Sequence, residues 1–203
     1  MIKYLAVATA ILTSSWQVPA PAGPPKPVTV VFETEKGTIE IAVDVARAPV
    51  TAENFLRYVD GGFYDGGQFT RTVRPDTETN KENPIQVIQA RRAAGRQGFP
   101  AIALERTSVT GVKHVDGTVS MARSTAPDSA ASDFFICVGD QPGLDMGGKR
   151  NPDGQGFGAF GKVVKGMDVV KAIQQSPVSR NAQGQNTQTL TPPIKILRAA
   201  RRQ

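Results

Sequence analysis

SDFFICV, residues 132–138, and FGAFGKVVKGMDVV, residues 157–170, are the two segments that decide the fold of this chain. Both are apolar and aromatic, the second is also rich in glycine, and neither places a nucleophile beside a base. A covalent hydrolytic site needs that pairing. The two segments are therefore typical of a site that binds and distorts a peptide rather than one that cleaves it.

The composition predicts a single β-rich domain. The chain has 203 residues, of which 39% are hydrophobic and 21% charged, and these are values of a globular protein. It contains 20 glycines and 15 prolines, more than a helical bundle would use. Many turns between short strands are expected.

The first residues have the pattern of an export signal. Lys3 supplies a positive charge, residues 4–12 form an apolar run too short to span a bilayer, and residues 20–22 have small-x-small spacing. We expect a signal peptide over 1–22 and a proline-rich linker over 23–27. The protein is then periplasmic or otherwise exported, without stable membrane insertion once the signal is removed.

The charge argues against nucleic acid as a partner, and the cysteine content argues against an internal disulfide. The formal net charge is +6, but the basic residues are dispersed and no aromatic-interleaved basic stripe is present, so nucleic acid is not an expected partner. The single cysteine, Cys137, excludes an internal disulfide and lies in an apolar run, where a buried, inert thiol is expected.

Hydrophobic periodicity predicts a closed eight-stranded antiparallel β-barrel capped by two α-helices. One helix begins at Pro49 and ends before Gly61, and the other covers 167–173. Residues 139–156 are a glycine-rich loop and residues 176–191 a polar loop. The predicted strands are 28–34, 38–43, 68–73, 85–90, 117–122, 134–138, 159–164 and 194–197. The domain is expected to cover 28–199, followed by a basic tail over 200–203.

The sequence does not contain the residues that several classes of enzyme need for catalysis. The only histidine, His114, lies in a polar segment and is expected at the surface, so a serine hydrolase has no base. A zinc site would need more histidine or cysteine ligands. The carboxylates Asp145 and Asp153 share a glycine-rich loop without an apolar pocket, and no phosphate-binding or dinucleotide glycine motif is present. No metal and no cofactor are expected.

A reaction without a covalent intermediate or proton transfer remains possible. Prolyl cis/trans isomerisation is such a reaction, with an uncatalysed barrier of roughly 18–20 kcal/mol. An apolar pocket and a donor aimed at the prolyl nitrogen both favour the twisted amide. Arginine suits this role because it is always charged and planar.

Short motifs along residues 28–199 resemble those of the cyclophilins, the β-barrel peptidyl-prolyl isomerases. They are APVTAENF at 48–55, FTR at 69–71, VIQ at 87–89, GTVSMA at 117–122, FFI at 134–136, LD at 144–145 and FGKV at 160–163 with GM at 166–167. The resemblance implies that Arg71 is the catalytic arginine. It also implies a peptide-binding set, namely Phe69, Val87, Gln89, Met121, Ala122, Asp133, Phe135, Leu144 and Phe157.

The chain departs from the family pattern at the site. Either Gln86 or Ile85 stands where a pocket phenylalanine is usual, and Gly143 replaces an aromatic residue. An insertion of about nine residues lies within residues 74–84 and separates Arg71 from the next strand. Asp133 replaces a glutamine, and we expect it to pair with Arg71 and restrain it, so that Asp133→Gln would raise turnover.

Two main functions stay open from the sequence. The first is an exported isomerase that acts as a monomer on Pro-containing segments of unfolded or exported proteins. The alternative is a cyclophilin-like binding module or chaperone for such segments with little turnover, and a weaker third possibility is a basic scaffold. The resemblance favours the isomerase, because Arg71 and Gln89 are retained.

Overall fold

The computed structural model describes residues 27–202. The predicted signal peptide lies outside these residues, as does the predicted linker apart from Pro27. Among the described residues, none of the helices has the length and apolar character needed to cross a bilayer.

Eight antiparallel strands close into a barrel, as predicted. The strands of the described residues are β1 Val28–Thr34, β2 Gly37–Val43, β3 Gln68–Val73, β4 Val87–Arg91, β5 Thr118–Met121, β6 Phe134–Cys137, β7 Gly158–Lys165, β8 Val178–Arg180 and β9 Asn186–Arg201. In sheet order the barrel strands are β1, β2, β7, β5, β6, β4, β3 and β9, and β1 pairs with β9 to complete the circle. The remaining strand, β8, is paired only with β9 and extends the sheet outside the barrel.

The barrel interior is filled by alternate residues of each strand. Phe32, Phe134 and Phe160 are almost completely buried there, because side chains at every second position of a strand point to the same face. The first helix, α1 (Pro49–Asp60), packs Phe55 onto this cluster, with 4.8 Å between its ring centroid and that of Phe160. Proline at the first helical turn and an apolar stripe explain why this segment is a helix.

The other predicted helix is also present. It is α3 (Met167–Gln174), which buries Val170 and Ile173. Gly166 precedes it with a φ of 90°, a left-handed conformation that favours glycine, and a β-carbon there would clash with the carbonyl oxygen of Thr38. A four-residue helix, α2 (Thr107–Thr110), was not predicted and adds a third to the described part of the chain.

The C-terminal third differs from the sequence prediction in two ways. The predicted polar loop 176–191 contains β8 and the first residues of β9, which form a hairpin. The predicted tail 200–203 begins inside β9: Arg201 opposes Val30 of β1, and its guanidinium binds Asp60 at 2.6 Å. Polar side chains concealed the hairpin, because β8 lies outside the barrel and has little need of apolar alternation. The basic residues near the end of β9 concealed its pairing with β1.

Candidate active site

One row of directly opposed residues crosses four strands on the outer face of the barrel. Arg71 of β3 opposes Gln89 of β4, Gln89 opposes Phe135 of β6, and Phe135 opposes Ser120 of β5. Directly opposed residues of antiparallel strands project on the same side of a sheet. This register brings together a cation, an amide and an aromatic ring that are far apart in sequence.

A β-bulge separates Phe69 from Arg71. The register of β3 shifts between these two residues against both β4 and β9. In a regular strand they would share a face, but a bulge adds one residue and reverses the alternation. Phe69 therefore points into the core, 1% exposed, and Arg71 points outward. The prediction that Phe69 contacts the peptide was wrong for this reason.

Strand alternation also corrects the prediction for Met121. Met121 is 1% exposed and belongs to the core, whereas its neighbour Ala122 faces outward. Consecutive residues at the end of β5 point to opposite faces. Met121 therefore supports the barrel from inside and does not line the cleft.

A cleft of about 220 Å³ lies on this outer face. Its lining contains seven of the ten predicted site residues: Arg71, Val87, Gln89, Ala122, Phe135, Leu144 and Phe157. A separate apolar cluster forms the floor and includes Val87, Phe135 and Leu144, with the ring of Phe157 at 5.4 Å from that of Phe135 in edge-to-face geometry. A depression of about 340 Å³ around Pro27, Arg47 and Lys162 contains none of the predicted residues.

The Arg71 guanidinium is held by two neutral amides. Its Nη1 donates to Gln89 Oε1 at 2.9 Å, and its Nε donates to Gln188 Oε1 at 2.8 Å. Within residues 27–202 no carboxylate lies within ion-pairing distance of Arg71. Burial, followed by the charge of Arg150, lowers the pKa of Arg71, which nevertheless stays protonated as arginine does in proteins. The cleft thus contains a cation without an ion-paired carboxylate, beside an apolar floor.

Comparison with known proteins agrees with this geometry. The family described as cyclophilin type peptidyl-prolyl cis-trans isomerase/CLD matches residues 29–201. The chain belongs to the cyclophilin family. It is therefore a peptidyl-prolyl cis-trans isomerase of the cyclophilin type, as its sequence predicted. The family supports the isomerase hypothesis over that of a basic scaffold protein.

Relatives of this cyclophilin occur in several bacteria. The peptidyl-prolyl cis-trans isomerase A of Dickeya dadantii is 36% identical over 148 residues, which is 72% of this chain and 70% of that protein. The isomerase of Acinetobacter baylyi is 34% identical over 82% of this chain and 81% of its own length. Isomerase B of Escherichia coli is 33% identical over 77% of this chain and 90% of its own length.

Solved structures agree on the fold of this cyclophilin. The crystal structure of a Cryptosporidium parvum cyclophilin type isomerase in the presence of the dipeptide Ala-Pro matches with a TM-score of 0.67 at 19% identity. The match covers 86% of this chain and 99% of that one. At this identity the likeness supports the barrel architecture alone.

Asp133 of this cyclophilin does not pair with Arg71. Its Oδ2 lies 3.5 Å from Nη2 of Arg91, and it lines a neighbouring depression that also includes Gln89 and Arg123. The predicted restraint of Arg71 by Asp133 was wrong, because the β6 residue in the row of Arg71 is Phe135, two positions beyond Asp133. Asp133 remains beside the cleft, outside its lining.

Four cleft residues of the cyclophilin were not among the predicted site residues, namely Ile85, Arg123, Arg150 and Asn151. The sequence left open whether Ile85 or Gln86 takes the place of the usual pocket phenylalanine. In the structure Ile85 belongs to the apolar cluster of the cleft, and Gln86 lies outside the cleft. Arg150 and Asn151 come from the glycine-rich loop, whose path no local pattern predicts. The basic character of Arg150 in that loop was the one available signal.

The single histidine of the cyclophilin is buried, contrary to the predicted surface position. Its Nδ1 lies 2.8 Å from Asp145 Oδ1 and its Nε2 lies 2.9 Å from Ser120 Oγ, while its ring stacks on Phe135. The connectivity is that of a serine hydrolase triad. Ser120 is 0% exposed and His114 is 1% exposed, so no substrate carbonyl reaches the hydroxyl. The arrangement supports Phe135 and the loop that contains Asp145.

Proposed function

We propose that Arg71 catalyses the isomerisation by donating a hydrogen bond to the prolyl nitrogen of an X-Pro segment bound in the cleft. The observation that supports this role most strongly is the pairing of Arg71 with amides instead of a carboxylate. No carboxylate forms an ion pair with it, so it is available to the substrate. The apolar floor beside it suits a proline ring.

The chemistry follows from amide resonance. Planar amides are stabilised by delocalisation of the nitrogen lone pair, and the barrier of roughly 18–20 kcal/mol measures its loss. As the bond twists, the lone pair localises on nitrogen and becomes a better acceptor. A donor placed there binds the twisted state more strongly than either planar isomer, which is the condition for catalysis.

The residues that line the cleft have different roles in the proposed catalysis. Phe135 and Leu144 surround the proline ring and exclude water from the amide. Gln89 orients Arg71 through its Oε1, and its Nε2 is available to a carbonyl of the peptide. No step forms a covalent bond or moves a proton, so the site needs no nucleophile and no metal.

We further propose that the protein works outside the cytoplasm on Pro-containing segments of exported proteins. The N-terminal pattern of Lys3, the apolar run 4–12 and the small residues at 20–22 supports this. Expression of the full chain, followed by fractionation and mass measurement, tests the proposal. A mature protein beginning near residue 23 in the exported fraction is expected, and an unprocessed cytoplasmic protein would contradict it.

The catalytic proposal is tested by prolyl isomerisation of a short chromogenic peptide. The parent protein without residues 1–22 is compared with Arg71→Ala and with the control Arg47→Ala, whose guanidinium binds Asp44 outside the cleft. Activity that is lost only in Arg71→Ala supports the proposal. Absence of activity in the parent, with peptide binding intact, would instead favour a binding module.

A further inference from the structure

The second amide that contacts Arg71 comes from an unexpected part of the chain. Gln188 lies near the start of β9, within residues 176–191 that the sequence predicted to be a loop. Its Oε1 accepts a hydrogen bond from Arg71 Nε at 2.8 Å. In the β3–β9 pairing Arg71 opposes Thr189, which is the neighbour of Gln188 along the irregular first part of β9.

The orientation of the Gln188 amide is determined at both ends. While Oε1 faces Arg71, Nε2 donates to the carbonyl oxygen of Thr77 at 3.2 Å. A carbonyl can only accept, so the nitrogen of the amide must face Thr77 and its oxygen must face Arg71. The insertion 74–84 thereby fixes which atom Gln188 presents to the guanidinium.

The hairpin that contains Gln188 has a separate attachment to the same insertion. Asn186 Nδ2 donates to Asp76 Oδ2 at 2.9 Å, and Asp76 is also bound by Arg74. This attachment does not involve Arg71. It makes it possible to loosen the hairpin without removing the amide that contacts the arginine.

Two acceptors are enough to fix a guanidinium. The group is planar, so hydrogen bonds at Nε and Nη1 determine the position of the whole plane, including Nη2. Within residues 27–202, Nη2 of Arg71 makes no hydrogen bond, and it is not among the buried atoms that lack a partner. Nη2 is therefore accessible to solvent and can donate to a ligand in the cleft.

We infer that Gln188 is a positioning residue of the isomerase, which aligns the Arg71 guanidinium with the twisted amide without pairing its charge with a carboxylate. The inference rests on the proposed role of Arg71. It also explains why an amide suits this place. A glutamate of the same shape would form an ion pair with Arg71 and would lose the donor to Thr77.

The test compares kcat and KM of the parent without residues 1–22 with those of Gln188→Leu and Gln188→Glu. Hydrogen bonds to charged groups have energies that correspond to a fall in kcat of about tenfold when the bond is lost. We expect that fall in both variants, with KM changed less than about twofold, because the alignment matters in the twisted state.

Two controls separate alignment from hairpin folding. Gln185→Leu removes an amide of the same hairpin that bonds only with Asn181, and Asn186→Ala removes the attachment to Asp76. Both are expected to keep the kcat of the parent. A second readout is the NMR signal of Arg71 Nε–H, whose exchange with water should accelerate in Gln188→Leu and stay unchanged in the controls.

Each outcome has a distinct meaning. A parent that binds the peptide but does not isomerise it would overturn the proposed function and this inference with it. An active parent whose kcat is unchanged by Gln188→Leu would overturn the inference alone. Equal losses of kcat in Gln188→Leu and Asn186→Ala would also overturn it, because attachment of the hairpin would then be what matters.

Discussion

Arg150 donates through Nη1 to Glu78 Oε2 at 2.8 Å, and this ion pair joins the insertion 74–84 to the glycine-rich loop beside the cleft. Glu78 is 4% exposed and also accepts from the backbone N–H groups of Ile85 and Asn80. Burial alone would raise the pKa of Glu78, but these hydrogen bonds and Arg150 together lower it. The folded state therefore favours the ionised carboxylate.

Glu78→Gln is expected to destabilise the protein by about 1–3 kcal/mol at pH 7, since a buried charged hydrogen-bond acceptor is lost. A carboxylate with a lowered folded pKa contributes stability that is present above its unfolded pKa and lost as the pH falls through the folded pKa. The difference between parent and variant in urea unfolding should therefore shrink below about pH 4. The exposed Glu53→Gln on α1 is the control, and a difference independent of pH would contradict the assignment.

Asp133→Gln is expected to leave kcat unchanged within about twofold, because exposed ion pairs such as that of Asp133 with Arg91 contribute little, about 0–1 kcal/mol. The sequence had suggested that this substitution would raise turnover by releasing Arg71. The peptide assay distinguishes the two expectations. A clear rise in kcat would show that Asp133 reaches Arg71 during the reaction.

His114→Leu should destabilise the protein by about 2–4 kcal/mol, because Ser120 and Asp145 then lose hydrogen-bond partners inside the protein. Ser120→Ala removes only one of the two side-chain hydrogen bonds of His114 and should cost less. Urea unfolding at pH 7 measures both. A change in His114→Leu within about 0.5 kcal/mol, the range of surface substitutions, would contradict the buried position.

Cys137 is expected not to react with a thiol reagent while the protein is folded. It is buried, and desolvation followed by the charges of nearby carboxylates such as Asp145 raises its pKa far above the usual range. The rate of labelling should follow the unfolding equilibrium as urea is added. Rapid labelling in the absence of urea would contradict the structure at β6.

The sequence predicted the barrel well because its evidence is local. Apolar residues at every second position of β2 and the continuous apolar run of β6 identify these segments as strands, and Pro49 marks the start of α1. The eight barrel strands could therefore be recognised one by one.

The site was less predictable because it depends on register between distant strands. The bulge between Phe69 and Arg71 places these two residues on opposite faces of the sheet. No residue type in that segment indicates a bulge. Gln188, which binds Arg71, and Asp145, which binds His114, come from segments that the sequence predicted to be loops. Hydrogen bonds between such segments leave no periodic signal in a single sequence.

Arg71→Ala measured on both binding and turnover tests the central claim most directly. Exchange NMR with an isotopically labelled X-Pro peptide gives the Kd and the isomerisation rate of the bound peptide from the same sample. We expect the rate to fall by about 100-fold, as for other lost transition-state donors, with Kd changed less than about threefold. Equal losses in affinity and rate would contradict the role of Arg71 at the twisted amide.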